Sequence, residues 1–285
     1  MFDGFKILLL NSLHILESSL FEEVYNFCNS DGELQKTVFK YKGFTFHHFN
    51  TSDTILMYGS FHKYWNDGVH NYNNFKYNNF LESVNNLVNT FSINPEDCIL
   101  KNVEYGVNLG VKYDVNKILD CLLLHENKTP LKPRKTDYRF EHQQYHLKIY
   151  NKSEHFKLIC ECDNILRVEV NHKRMKKLNE NRIYNLNDLL NPNCLNFFNK
   201  QLVKHWNNIL MYDYTIDKKK LNKADISVLK DYQNTLYWQD LKPNHRHRPK
   251  QRLKRIISEN SEQIQQYISN EIQQTLKTNC VMIND

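Results

Sequence analysis

Residues 143–152, Gln143-Gln144-Tyr145-His146-Leu147-Lys148-Ile149-Tyr150-Asn151-Lys152, place a tyrosine between two lysines, each two residues away. Alternation of polar with β-branched and aromatic residues predicts a strand, whose side chains point in turn to opposite faces. Tyr145, Leu147 and Ile149 then share one face, and His146, Lys148, Tyr150 and Lys152 the other. A phenol ionises near pH ~10 in water, and nearby cations favour the phenolate. Tyr150 therefore suits nucleophilic attack on a phosphodiester, with Lys148 and Lys152 activating it or holding the anionic substrate. The same spacing also fits a half-exposed sheet with solvated lysines beside a surface tyrosine.

Two further alternating segments carry polar groups at matching parity. In one, Val103, Tyr105, Val107 and Leu109 alternate with Glu104, Gly106 and Asn108; in the other, Arg167 and Glu169 separate Leu166, Val168 and Val170. Aligned in one antiparallel sheet, Glu104, Asn108 and Glu169 offer oxygen ligands for Mg²⁺ or Mn²⁺, which polarise a phosphate. Alternatively, Glu104 and Glu169 pair with Lys148 and Arg167 across strands. A fourth dense stretch runs from Gly59 to Asn71. Its Ser60, His62, Lys63 and Asn66 suit phosphate contact, and its aromatics suit base stacking. His47-His48 point to opposite strand faces and His245-Arg246-His247 lies in a basic run, so neither reads as a metal motif.

The elements that must position these groups follow from periodicity. Phe5–Leu10 predicts a first strand, Ser12–Cys28 a helix, and Thr37–Asn50 with Thr54–Trp65 a hairpin joined by Asn50-Thr51-Ser52-Asp53. Phe75–Phe91 has helical spacing, Ile99–Val111 alternates, and Tyr113–His125 reads as helix. Residues 127–137 read as a basic, proline-punctuated connector, and Phe156–Asn171 as strand, with Cys160 and Cys162 as small buried side chains. Leu186–Leu210, Leu221–Trp238 and Ile256–Leu276 read as helices.

With 285 residues, 40% of them hydrophobic, the chain is long enough for one large domain or two small ones. Its net charge of +6 is compatible with an anionic partner without demanding one. Seven cysteines without a CxxC pair predict free thiols in a reducing cytoplasm. No apolar run approaches the ~18 residues of a membrane span, and the start lacks the pattern of a secretory signal.

Taken in order, Gly59-Ser60-Phe61-His62-Lys63 with Asn66 and Asn71, Glu104-Tyr105-Gly106-Val107-Asn108, Lys148-Ile149-Tyr150-Asn151-Lys152 and Leu166-Arg167-Val168-Glu169 resemble replication initiators of the filamentous-phage replication-protein type. Those proteins are similar to rolling-circle initiators of HUH-endonuclease type. The resemblance covers residues 1 to about 190, its opening strand included. It implies a sequence-specific, metal-dependent nickase in which tyrosine forms a 5′-phosphotyrosine link and frees a 3′-hydroxyl primer. Tyr150 takes the nucleophile position and Lys152 that of the neighbouring lysine. Glu104 and Asn108 fall on the strand that carries paired acids in related initiators, Asn108 replacing a carboxylate. The wider superfamily has two histidines flanking a hydrophobic residue, and this chain has no such triplet.

The last third changes character. Lys242, Arg246, Arg248, Lys250, Arg252, Lys254 and Arg255 crowd the segment 241–255, which contains only basic charges and suits the DNA backbone. The expectation is an α+β protein: a mainly antiparallel sheet with helices on one face in a nicking domain, residues 1–190, then a helical, basic region, residues 191–285. Expected partners are origin DNA, single-stranded or hairpin, a host helicase and a second copy of the chain, in a bacterial cytoplasm. Two rivals are a non-catalytic DNA-binding replication or copy-number regulator and an RNA-binding protein using the Gly59–Asn71 aromatics.

Overall fold

A computed structural model describes residues 2–155 and 164–280, and in it the chain divides into two compact units. The first comprises residues 2–106, 170–198 and 278–280; the second comprises residues 107–155, 164–169 and 199–277. The chain is α+β with large antiparallel pairing, as its alternating segments require. Expectations for Cys160 and Cys162 lie outside the described residues.

The first unit is built from β1 (Phe2–Leu9), β2 (Glu23–Cys28), β3 (Leu34–Tyr41), β4 (Phe44–Phe49), β5 (Thr54–Ser60) and the start of β6 (Cys98–Gly110). Strands β2 to β5 form an antiparallel meander, and β1 pairs antiparallel with both β5 and β6. Two helices carry the chain past Ser60: the short α1 (Phe61–Trp65) and then, after an irregular stretch, the long α2 (Tyr77–Phe91). The apolar stripe of α2, Tyr77, Phe80, Val84, Leu87 and Phe91, is buried. Phe80 meets Phe2, Phe5 and Phe61, while Phe91 meets Phe21 and Phe46. Each such buried side chain contributes roughly 1.5–3 kcal/mol of transfer free energy. Gly59 sits at φ +159°, where an added Cβ would lie 2.4 Å from the Phe44 ring and 2.9 Å from the Gly43 carbonyl oxygen. Only glycine permits that approach.

Two expectations change here. Ser12–Cys28 is not a helix but a 3₁₀ turn, Leu13–Glu17, followed by β2. The β-branched and aromatic Val24, Tyr25 and Phe27 prefer the pleated edge, where all three stay exposed. The span 54–65 is strand only to Ser60, because the Ser60 hydroxyl oxygen accepts the Lys63 amide and caps α1.

The second unit contains α3 (Val115–Asp120), β7 (Leu122–His125), β8 (Leu131–Arg134), β9 (Asp137–Glu141), β10 (Tyr145–Asn151) and α4 (Lys152–His155). Strand β11 (Ile165–His172) follows and then, after the short α5 (Lys176–Asn179) of the first unit, α6 (Cys194–Asn207) and β12 (Ile209–Met211). The helices α7 (Lys223–Tyr232), α8 (Thr235–Asp240), α9 (His247–Asn260) and α10 (Ile264–Cys280) complete the chain. Within this unit β11, β10, β9 and β8 are successive neighbours, and β7 pairs with β12. β6, β11, α6 and α10 each give residues to both units, and β5 of the first unit lies entirely in one.

Leu122, Leu123 and Leu124, all fully buried, explain why Tyr113–His125 is helix only to Asp120. A short continuous apolar run reads equally as buried strand or helix, and here it pairs with Ile209–Met211. The connector 127–137 likewise contains β8. Around Trp206, the indole donates to the Gln265 carbonyl at 3.0 Å, and the Gln265 amide returns hydrogen bonds to the carbonyls of Trp206 and Ile209. The Asp213 carboxylate accepts the Ser261 hydroxyl and the Ile264 amide, closing the first turn of α10.

His172, fully buried in the first unit, lies with its ring 5.8 Å from that of Tyr105. Burial pushes its imidazole down to about 4. The unfolded chain therefore binds a proton below pH ~6.5 that the fold refuses until about 4. Its stabilising contribution is complete above ~6.5 and falls by roughly 3 kcal/mol on acidification to 4. Urea midpoints measured across that window are expected to drop, and the drop is expected to shrink in His172→Gln.

Candidate active site around Tyr150

β10 alternates as its sequence requires: Leu147 and Ile149 are fully buried, while His146, Lys148 and Tyr150 are half-buried on the other face. The face centres on Glu169 of β11, which is 2% exposed. Lys148 Nζ donates to Glu169 Oε1 at 2.7 Å, and Arg167 Nε donates to Oε2 at 3.2 Å. The Tyr150 hydroxyl also donates to Oε2, at 3.4 Å. Arg167 reaches in addition to Asn108 Oδ1, at 3.3 Å. Glu169 thus pairs with Lys148 across strands and with Arg167 along its own strand. A carboxylate buried this deeply is tolerable because both oxygens accept charge-assisted hydrogen bonds.

Lys152 does not share the strand face. The strand ends at Asn151, whose side chain donates to Asn116 Oδ1 at 3.2 Å and accepts the Glu154 amide at 3.3 Å. Lys152 therefore opens α4, is 3% exposed, and places Nζ 5.9 Å from the Tyr150 ring centroid. The turn still brings its side chain beside the tyrosine. His155, one turn further on, stacks on Tyr150 at 4.9 Å and approaches Asp137 Oδ1 with Nε2 at 2.7 Å. Sequence spacing gave no signal for His155, since it lies beyond the strand.

Glu104 belongs to the first unit. Asn171 donates to its Oε2 at 2.7 Å, and an added Cβ on Gly4 would lie 3.3 Å from its Oε1. Carboxylate oxygens of Asp3 and Glu104 lie within 4.8 Å of each other. Asp3, 4% exposed, accepts the Ser60 hydroxyl and, at 3.1 Å, the Asn71 side-chain amide. Among the expected ligands, Glu169 accepts from Lys148 and Arg167, and Asn108 from Arg167; in the first unit, Asp3 and Glu104 offer carboxylate oxygens of the kind that Mg²⁺ or Mn²⁺ takes. Asp3, the missed member, carries only an isolated acid in sequence and meets Glu104 through the β1–β6 pairing.

The Gly59–Asn71 stretch is mixed: Ser60, Phe61, His62 and Tyr64 are buried, whereas Lys63, Trp65, Asp67 and Val69 are exposed. His62, 3% exposed, stacks on Phe75 at 4.7 Å and faces Asn73 Oδ1 at 2.6 Å. The Asn66 amide donates to the carbonyls of His62 and His70. Ser60 is the cap already described, which leaves Lys63 as the exposed member of this set.

The basic run also divides. Arg246, 6% exposed, donates to the carbonyls of Leu241, Asn127 and Gln239, and Lys250 donates to that of Glu126. Arg252 and Arg255 each reach the Asp225 carboxylate at 2.8 Å, which holds Asp225 below the usual carboxylate range. Lys242, Arg248 and Lys254 are exposed. No described helix is long and apolar enough to cross a membrane.

No protein-family model matches this chain, and no curated protein matches it.

Proposed function

We propose that the protein is a DNA nickase and strand transferase of rolling-circle replication, with Tyr150 as its nucleophile. The observation that carries this reading is the Tyr150 hydroxyl donating to buried Glu169, itself flanked by Lys148 and Arg167. A carboxylate that accepts the phenol's hydrogen bond is placed to take its proton, and the adjacent cations favour developing negative charge. Tyr150 Oη bonds to the scissile phosphorus as the bond to the 3′ oxygen breaks. The phenolic proton passes to Glu169, and the departing 3′ oxygen takes a proton from water. The 5′ phosphate stays on the tyrosine and a 3′-hydroxyl is freed to prime synthesis. When bound, Mg²⁺ or Mn²⁺ would supply Lewis-acid polarisation of a phosphoryl oxygen; within the first unit, Asp3 and Glu104 have carboxylate oxygens close enough together to ligate such an ion. His155 limits the ring's rotation by stacking on it.

The test uses the full chain, single-stranded oligonucleotides that tile the DNA beside its own gene and include any stem-loop found there, and Mg²⁺ or Mn²⁺. A covalent adduct that survives denaturing electrophoresis supports the reading. Tight binding without adduct turns it into the non-catalytic regulator.

Affinity for the DNA backbone rests, in this proposal, on Lys242, Arg248 and Lys254. Neutralising all three is expected to flatten the logarithmic salt dependence of single-strand binding by about 0.7 per lost phosphate contact. Arg252→Gln is the contrast. It removes a partner of Asp225, so it is expected to lower stability and leave the salt slope unchanged.

A further inference from the structure

The second unit contains a group of side chains that the nicking proposal does not use. His125 ends β7, and the chain reverses at once: the His125 amide donates to the Lys128 carbonyl at 2.9 Å, and Lys128 returns the bond at 3.0 Å. Glu126 begins this turn at φ +57°, a left-handed conformation that a non-glycine residue adopts at some cost. His142 lies in the reversal between β9 and β10, where its amide donates to the Tyr145 carbonyl. These two tight turns bring three side chains together. His125 Nδ1 is 2.7 Å from His142 Nε2, and His142 Nδ1 is 3.7 Å from Glu126 Oε2.

We propose that His125, Glu126 and His142 bind one divalent ion of the zinc class. One donor atom from each residue lies within 4.8 Å of the other two. Two imidazoles and a carboxylate form the mixed nitrogen–oxygen set that zinc accepts in three-ligand sites, with the fourth position left to water. Zinc–nitrogen bonds of about 2.0–2.1 Å at tetrahedral angles separate two ligand nitrogens by roughly 3.3 Å. The pair at 2.7 Å must therefore open by about half an ångström to admit the ion. Burial pushes both imidazoles below the ordinary histidine range, toward the neutral form that a ligand must have.

The surroundings hold the donors in place. Tyr145 stacks on His142 at 4.6 Å and donates to Glu126 Oε1 at 3.5 Å, while His205 walls the site 5.4 Å from the His125 ring. Arg246 and Lys250 of the basic segment hold the turn through the carbonyls of Asn127 and Glu126. His125 is fully buried and Glu126 is exposed, so water and the ion reach the group from the Glu126 side.

The experiment titrates the full, chelator-treated chain with Co²⁺ and reads visible d–d absorption, with Zn²⁺ as competitor. The expected result is one equivalent of Co²⁺ per chain, displaced by Zn²⁺, with Zn²⁺ raising the melting temperature. His142→Gln is expected to abolish the band, and Glu126→Gln, at an exposed position, to weaken Co²⁺ binding at least about tenfold. Circular dichroism must show both variants folded; Glu126→Gln keeps the test open where His142→Gln is not. Absence of stoichiometric binding, unchanged binding in Glu126→Gln, or a strong near-ultraviolet thiolate-to-cobalt band would each overturn the assignment. The last would place the ion on cysteines instead.

Discussion

Tyr150→Phe is expected to bind origin DNA as the parent does and to form no covalent adduct. The substitution deletes one oxygen and keeps the ring, so its stacking on His155 persists. The lost hydrogen bond to Glu169 is long, at 3.4 Å, and its removal costs no more than about 1 kcal/mol of stability. Glu169 keeps Lys148 and Arg167. Activity, in contrast, loses its attacking atom and falls below detection. Tyr145→Phe is the internal control. The Tyr145 hydroxyl faces Glu126, and burial pushes its ionisation well above the ordinary phenol range. It is a poor nucleophile, so its variant is expected to retain adduct formation. Lys152→Ala is expected to slow the step by roughly 10²-fold without abolishing it, the scale of one lost electrostatic contact. Adduct that persists in Tyr150→Phe and disappears in Tyr145→Phe would move the nucleophile to the other strand face.

The largest effect on stability is expected from Glu169→Ala. It leaves Arg167, 3% exposed, and the Lys148 ammonium without their carboxylate. Breaking one side of a buried ion pair costs about 3–5 kcal/mol, more than forming the pair gains. Urea denaturation measures the loss. Replacing the pair together, Arg167→Met with Glu169→Leu, is expected to recover most of it, since apolar side chains of similar volume carry no desolvation penalty. A Glu169→Ala variant as stable as the parent would mean that the remaining contacts of Arg167, Asn108 among them, satisfy it.

Strand alternation was the legible part of this chain. β6, β10 and β11 follow from period-two patterns, as does the apolar side of β10 in Leu147 and Ile149. The stripe of α2 follows equally from its 3.6-residue spacing. What resisted reading had weak or ambiguous periodicity. Leu122–Leu124 is apolar on every side, and only the partner strand Ile209–Met211 decides its form. Lys152 obeys the strand parity by count and leaves it because Asn151 caps the next turn. Within the site, Glu169 with Lys148 and Arg167 could be anticipated from parity, whereas His155 beside Tyr150 and Asp3 beside Glu104 depend on turns and registers. The basic run is a different case. Charge density in sequence counts Arg252 and Arg255 as available, while Asp225, far away along the chain, claims both.

The interleaving of the two units imposes an order on synthesis. The first unit needs residues 170–198, so it cannot be completed while only its first hundred residues have emerged from the ribosome. Phe198 is a case in point, packing 4.8 Å from Phe2 and 4.7 Å from Tyr105. The strand pairs of the meander β2 to β5 are local in sequence and can form early. The nascent chain therefore holds a partly built sheet, with the sides of Phe2 and Tyr105 that meet Phe198 uncovered, throughout the translation of the Tyr150 segment. At about 5–20 residues per second that interval lasts several seconds, long enough for a chaperone to engage the exposed aromatics. A chain cut before Phe198 would keep that surface permanently, and insolubility of such truncations would be a property of their topology and not of their composition.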